Sequence, residues 1–213
     1  DIDVIDGRGA TLMPGLIESH AHLSIDDAAD LVQIGMIPPE ETTLIAVRNA
    51  RLYLDCGITS CISAASAKPR TDVVIRNAIN KGEIPGPRIY PSGALISQTS
   101  GHGDFRMPKD RAHRFGGEFT KGELLGVGFI ADGRDEVLTA TRENLRGGAS
   151  QIKVMAGGGA ASAYDPLDVT QYTLDEMKAA VEAASDWNTY VTVHAYTPRA
   201  VRRAVEAGVL CIE

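Results

Sequence analysis

Cysteine is scarce. The three residues, Cys56, Cys61 and Cys211, form no Cys-x-x-Cys pair and sit in apolar surroundings, so a disulfide framework is not indicated and all three read as core thiols. Long apolar runs are missing as well: each is broken by a charge or a glycine before the ~20 residues of a membrane span, so no membrane partner is expected. There is no basic excess. Twenty-eight acidic against 21 basic side chains leave a net charge of −7, and without a local basic patch no nucleic-acid partner is expected. Asp1 to Asp6 has neither the basic nor the apolar region of a signal peptide. Gly157-Gly158-Gly159 lacks a following Gly-Lys-Ser/Thr and so is no phosphate loop; it reads as flexible backbone. What remains is a 213-residue chain, 44% apolar and 23% charged, large enough for one sizeable core.

Neither end looks natural. The chain does not open on Met, and Gly208 to Glu213 reads as a buried strand just beginning, with no turn after it, so both ends are read as cuts in a longer polypeptide. In between, six apolar runs alternate with helical patterns: Leu12–Ser19, Ile58–Ser63, Arg88–Gly93, Gln151–Ala156, Tyr190–His194 and Val209 onward. The clearest helix is Thr173–Ser185, with Leu174, Met177, Val181 and Ala184 on one face and a Thr173/Glu176 capping box. Thr197 caps another with Pro198 in its first turn, a Val201/Val205 stripe and Gly208 as its stop. Glu40–Asp55 carries Leu44, Val47 and Leu54 and is closed by Gly57, while Asp135–Arg146 carries Val137, Thr141 and Leu145. Ala94–Gly133 is the longest irregular piece. Alternating strands and helices predict an α/β fold with parallel pairing, either doubly wound or a (β/α)8 barrel.

Three features carry chemistry. His20 and His22, at i and i+2 after an apolar run, place both imidazoles on one face of a strand, a metal-ligand spacing that solvated loop histidines would also show. Lys153 lies mid-strand, where an ammonium must be paired or neutralised, unless it snorkels out at the strand end. His194 ends the Val191-Thr192-Val193 strand, where a core histidine is the ordinary alternative. All three stand at or near C-terminal strand ends, where barrels build active sites.

The run Pro14-Gly15-Leu16-Ile17-Glu18-Ser19-His20-Ala21-His22-Leu23, followed by Lys153 and His194 in order, resembles the amidohydrolase superfamily over nearly the whole chain. The resemblance implies a TIM-type barrel of which this chain holds about strands 1 to 6, in residues 14–213. It also implies that residues 1–13 end a small, mostly missing β-sandwich domain or form its linker. His20, His22, Lys153 and His194 would then hold two divalent ions, of which zinc is the usual one, with Lys153 and His194 counted as catalytic. Lys153 would be carboxylated by CO2 to a bridging carbamate, and a metal-bound hydroxide would attack an amide carbonyl. The strand-6 histidine and strand-8 aspartate of the family would lie beyond Glu213.

Ser97-Gln98-Thr99-Ser100-Gly101-His102-Gly103-Asp104 and His194-Ala195-Tyr196 resemble the imidazolonepropionase-related dipeptidases and carboxypeptidases, including Xaa-Pro dipeptidases. That likeness makes His102 and Tyr196 substrate-binding residues and a small peptide or N-acyl amino acid the substrate. Arg106, Arg111 and Arg114 could offer a carboxylate fork, but a charge-rich loop is more often solvated. Asp26-Asp27 and Glu40-Glu41 read as helix-start or loop charges. Two alternatives stay open: a cyclic-amide hydrolase or deaminase of the same superfamily, and a non-catalytic barrel relative with an assembly role. A homo-oligomer is compatible with the sequence, and the thiols favour the cytoplasm.

Overall fold

The computed structural model describes residues 2–26, 31–162 and 164–213. Residues 2–15 form no regular element, and their side chains are exposed. The first strand, β1 (Leu16–Ala21), is followed by α1 (Leu31–Met36), α2 (Pro39–Asp55), β2 (Ile58–Ser63), α3 (Thr71–Asn80) and β3 (Arg88–Tyr90). Next come β4 (Leu95–Ser97), a 3-10 turn (His113–Phe115), α4 (Lys121–Leu124), β5 (Gly128–Ile130), α5 (Arg134–Gly147) and β6 (Ile152–Met155). The chain closes with α6 (Leu174–Asp186), β7 (Val191–His194), α7 (Pro198–Ala207) and β8 (Cys211–Ile212). Every strand pair is parallel, in the orders β1-β2-β3 and β5-β4-β6-β7-β8. This is the partial (β/α)8-type arrangement, with one cluster of buried apolar side chains between β1–β3 and α2–α3 and a larger one between β4, β6, β7 and α5–α7. Among the described residues no helix is long and apolar enough to cross a membrane.

The gap between the two sheets is bridged by side chains. At Gly93 the backbone has φ +76°, and an added Cβ would stand 2.5 Å from Asn144 Oδ1. Buried Asn144 accepts from Ala94 N at 3.0 Å and donates to Ala94 O at 2.8 Å, satisfying peptide groups that the broken strand leaves unpaired. Across the interior, buried Gln151 donates from Nε2 to Ser63 O at 2.7 Å.

Several expectations shift. β1 starts at Leu16 and not at Leu12, because Pro14 has no N–H and Gly15 lies against Thr59, whose side chain would be 2.2 Å from an added Cβ. The segment 94–133 contains β4, the 3-10 turn, α4 and β5, elements too short to show a period. On α2 the buried positions are Thr42, Ala46 and Ala50, while Leu44 is 70% exposed. On α7 they are Ala200, Ala204 and Ala207, and Val205 is 60% exposed. Close approach of helix to sheet favours the small side chains. Of the thiols only Cys61 is buried; Cys56, at the C-terminal cap of α2, is exposed and Cys211 is half-buried. Glu40 and Glu41 do occupy the first turn of α2, Asp26 pairs with Arg48 at 2.7 Å, and Asp27 lies outside the described residues.

Candidate active site

Each strand delivers its residue at the same end. His20 is the next-to-last residue of β1 and His22 follows that strand; His194 ends β7, Lys153 lies within β6, and Glu213 directly follows β8. His20, His22, His102, Lys153 and His194 line one cavity of about 270 Å³. Its other walls include Leu95, Phe105, Val127 and Met155.

The two imidazoles of the His-x-His face each other, with Nε2 of His20 3.1 Å from Nε2 of His22. Their remaining nitrogens are engaged: His20 Nδ1 lies 2.7 Å from Glu213 Oε2, and His22 Nδ1 lies 3.3 Å from the Ala65 carbonyl. The Ala65 carbonyl favours the proton on Nδ1 of His22, whereas the His20–Glu213 contact falls short of hydrogen-bond geometry and fixes no tautomer; with both rings protonated at Nδ1, a lone pair would stand on each Nε2. Two lone pairs at that distance repel unless a proton or a cation lies between them. Two nitrogens binding one zinc ion, each at ~2.1 Å, can stand at such a spacing.

Lys153 is 1% exposed, and its Nζ is 2.9 Å from Glu213 Oε2, an ion pair by distance in which neither atom achieves hydrogen-bond geometry. Burial lowers the lysine pKa, partly opposed by Glu213. For Glu213, burial works upward, but the contacts with His20, Lys153 and Thr192 outweigh it and hold the carboxyl down at about 2. Both the lysine and His20 meet the same oxygen of Glu213, so the amine and the His20 ring are no farther apart than those two contacts laid end to end.

Burial, then the nearby His20 charge, takes His22 down to about 4; burial, then His102, does the same to His194. Both are therefore neutral at pH 7, the form in which imidazole binds metal. His194 itself turns Nε2 to the Gly158 carbonyl at 3.1 Å. Among the described residues no three His, Cys, Asp or Glu side chains stand together as a ready metal-binding group.

His102 lies in the loop after β4 and is not solvent-exposed. Its ring stacks on that of His194 at 4.5 Å between centroids, and Tyr196 meets His194 edge-on at the same distance. Tyr196 is 59% exposed and stands outside the cavity lining. Two of the three loop arginines do not offer a free fork: Arg106 is held by Asp104 at 2.7 Å beside a separate hollow of about 140 Å³, and Arg114 pairs with Glu136; Arg111 is exposed and lines no part of the histidine cavity. Glu213 had no signal of its own in the sequence. Its part in the site follows from register, since β7 and β8 pair Thr192 with Cys211 and Val193 with Ile212, which sets Glu213 beside His194.

Comparison with known proteins extends this picture. Ochratoxinase of Aspergillus niger is 35% identical over 212 residues, covering 97% of this chain and 43% of that protein. The crystal structure of a prolidase complexed with N-methylphosphonate-L-proline superposes with a TM-score of 0.86 at 39% identity, covering 100% of this chain and 51% of that one. A Xaa-Pro dipeptidase with bound methionine in the active site gives a TM-score of 0.76 at 27% identity, covering 93% and 47%. The chain thus spans about half the length of the relatives it matches. The sequence profile described as Amidohydrolase family matches residues 11–213, so the chain belongs to the amidohydrolase family.

Proposed function

We propose that the protein is a metal-dependent hydrolase that cleaves the amide bond of dipeptides or N-acyl amino acids. His20, His22, Lys153 and His194 would hold two divalent ions, with zinc favoured by the imidazole donors. When bound, such ions polarise a carbonyl oxygen and lower the pKa of water toward neutrality. The observation that carries the reading is the pair of convergent Nε2 atoms 3.1 Å apart, beside a buried lysine and in the wall of a shared cavity.

Lys153 can serve in two ways that exclude each other. As an ammonium it neutralises Glu213. As a neutral amine, the form that desolvation favours, it can add CO2 and become an anion with two oxygen donors. Glu213 would then lose its cationic partner and keep only His20 and Thr192. The carboxylated form is thus favoured only where positive charge is supplied nearby. His194 would have to exchange its contact with the Gly158 carbonyl for a ligand role.

The remaining groups suit a short substrate. Leu95, Phe105, Val127 and Met155 offer apolar wall for a side chain or acyl group, and His102 would hold its polar end. The names of the prolidase and Xaa-Pro dipeptidase relatives support a dipeptide, and ochratoxinase supports an amide more broadly. A panel of Xaa-Pro, Xaa-Arg and N-acyl substrates, given to the full-length protein with and without a chelator, tests the proposal. Hydrolysis of at least one class, lost on chelation and restored by zinc, is expected. Activity indifferent to chelation, or none on any amide, would contradict it.

A further inference from the structure

The loop that follows β6 reaches back over the cavity and grips one histidine. His102 Nδ1 lies 2.5 Å from Ser162 Oγ and 3.1 Å from Asp165 Oδ2. The same Asp165 oxygen accepts from Gly159 N at 2.7 Å, and an added Cβ at Gly159 would stand 2.1 Å from the imidazole Cε1. The loop is therefore packed directly on the ring. Its backbone anchor is separate: His102 N donates to Gln171 Oε1 at 3.0 Å. Asp165 is buried, yet its second oxygen, Oδ1, has no hydrogen-bond partner. A carboxylate kept merely to hold a loop would be expected to satisfy both oxygens.

We infer that Asp165, with Ser162 beside it, is a positioning residue that fixes His102 as the Nδ1–H tautomer and presents Nε2 to the substrate. The inference rests on the substrate-binding role proposed for His102. A carboxylate accepts only, so the nitrogen facing it must carry the proton. Among the described residues Nε2 makes no hydrogen bond, and the ring lines the cavity, so Nε2 is the nitrogen left for a ligand. Stacking on His194 fixes the ring plane, and Asp165 fixes its rotation within that plane. Asp165 touches no reacting atom; it acts through His102.

Nitrogen-15 NMR of histidine-labelled full-length protein, with His102 assigned by its absence in His102→Ala, tests this without reference to catalysis. The wild-type ring should be protonated at Nδ1, and Asp165→Asn should shift it toward the Nε2–H form. On a hydrolysed dipeptide, Asp165→Asn should lower kcat/KM about 10- to 100-fold, by analogy with the loss on removing the carboxylate that orients a metal-bound histidine. Asp165→Glu should recover part of it, and neither change should add to His102→Ala. A wild-type ring protonated at Nε2, an unchanged tautomer in Asp165→Asn, or additive losses in the double variant would overturn the inference. Should Asp165→Asn fail to fold, the wild-type tautomer and Asp165→Glu decide alone. Should no substrate be hydrolysed, the proposed function falls while the tautomer still tests Asp165.

Discussion

Replacing Lys153 by Met in the metal-free, full-length protein isolates the energetics of the site's floor. Met fills nearly the volume of the lysine stem, so little cavity is created and the change is mainly the loss of an ammonium 2.9 Å from Glu213 Oε2. Both groups are almost fully buried, at 1% and 6% side-chain exposure, so solvent screening is weak. What is left is a buried carboxylate relying on His20 and Thr192. Breaking a buried pair from one side costs about 3–5 kcal/mol, whereas removing both charges is often nearly neutral. Urea denaturation in chelator should therefore show Lys153→Met destabilised by about that amount, and Lys153→Met combined with Glu213→Gln recovering most of it. A single variant within ~1 kcal/mol of wild type, or a double variant no better than the single one, would refute the picture of a desolvated ammonium–carboxylate pair.

Three other outcomes follow from the same geometry. Thr173 and Glu176 form a complete capping box at the start of α6, so Thr173→Ala should cost about 1 kcal/mol in urea melts, and no change would deny the cap any weight. Met177, buried under α6 at 1% exposure, should cost about 2–5 kcal/mol on replacement by Ala; less than 1 would mean that the sheet–helix layer collapses freely. Both His22 and His194 are held at about 4, against ~6.5 in an unfolded chain. Because these folded values are depressed, the unfolded chain takes up more protons: stability is fully present above pH ~6.5 and is lost as pH falls toward 4. The slope should approach ~1.4 kcal/mol per pH unit for each ring, and a flat urea-midpoint profile between pH 7 and 5 in chelator would contradict neutral burial.

The parallel order and most strand positions were legible because fully buried strands such as Ile152–Met155 and Val191–His194 read as short, mainly apolar runs between helical patterns, interrupted only by Lys153, Thr192 and His194. Helix starts were legible where a side chain does the capping, at Thr173 and Thr197. The buried faces of α2 and α7 were not, because alanine carries little hydrophobic signal and Leu44 and Val205 carry much. β4 and β5, three residues each, are too short for an alternation to repeat. At the site, His20, His22, Lys153 and His194 announced themselves by residue type and strand position, and the structure brings all four to one cavity. Glu213 and Asp165 could not be read so, since their importance lies in partners that are distant along the chain: His20 for the one and His102 for the other.

The most direct test is the metal content of the full-length protein, measured on wild type and on Lys153→Ala after exposure to zinc and exhaustive dialysis. About two ions per chain in wild type, falling toward one in the variant, is the predicted result, because the carboxylated Lys153 is the anion proposed to be shared by two ions standing ~3.5–4 Å apart. Wild type that retains no divalent ion, or a variant that keeps the wild-type count, would contradict a centre built on His20, His22, Lys153 and His194.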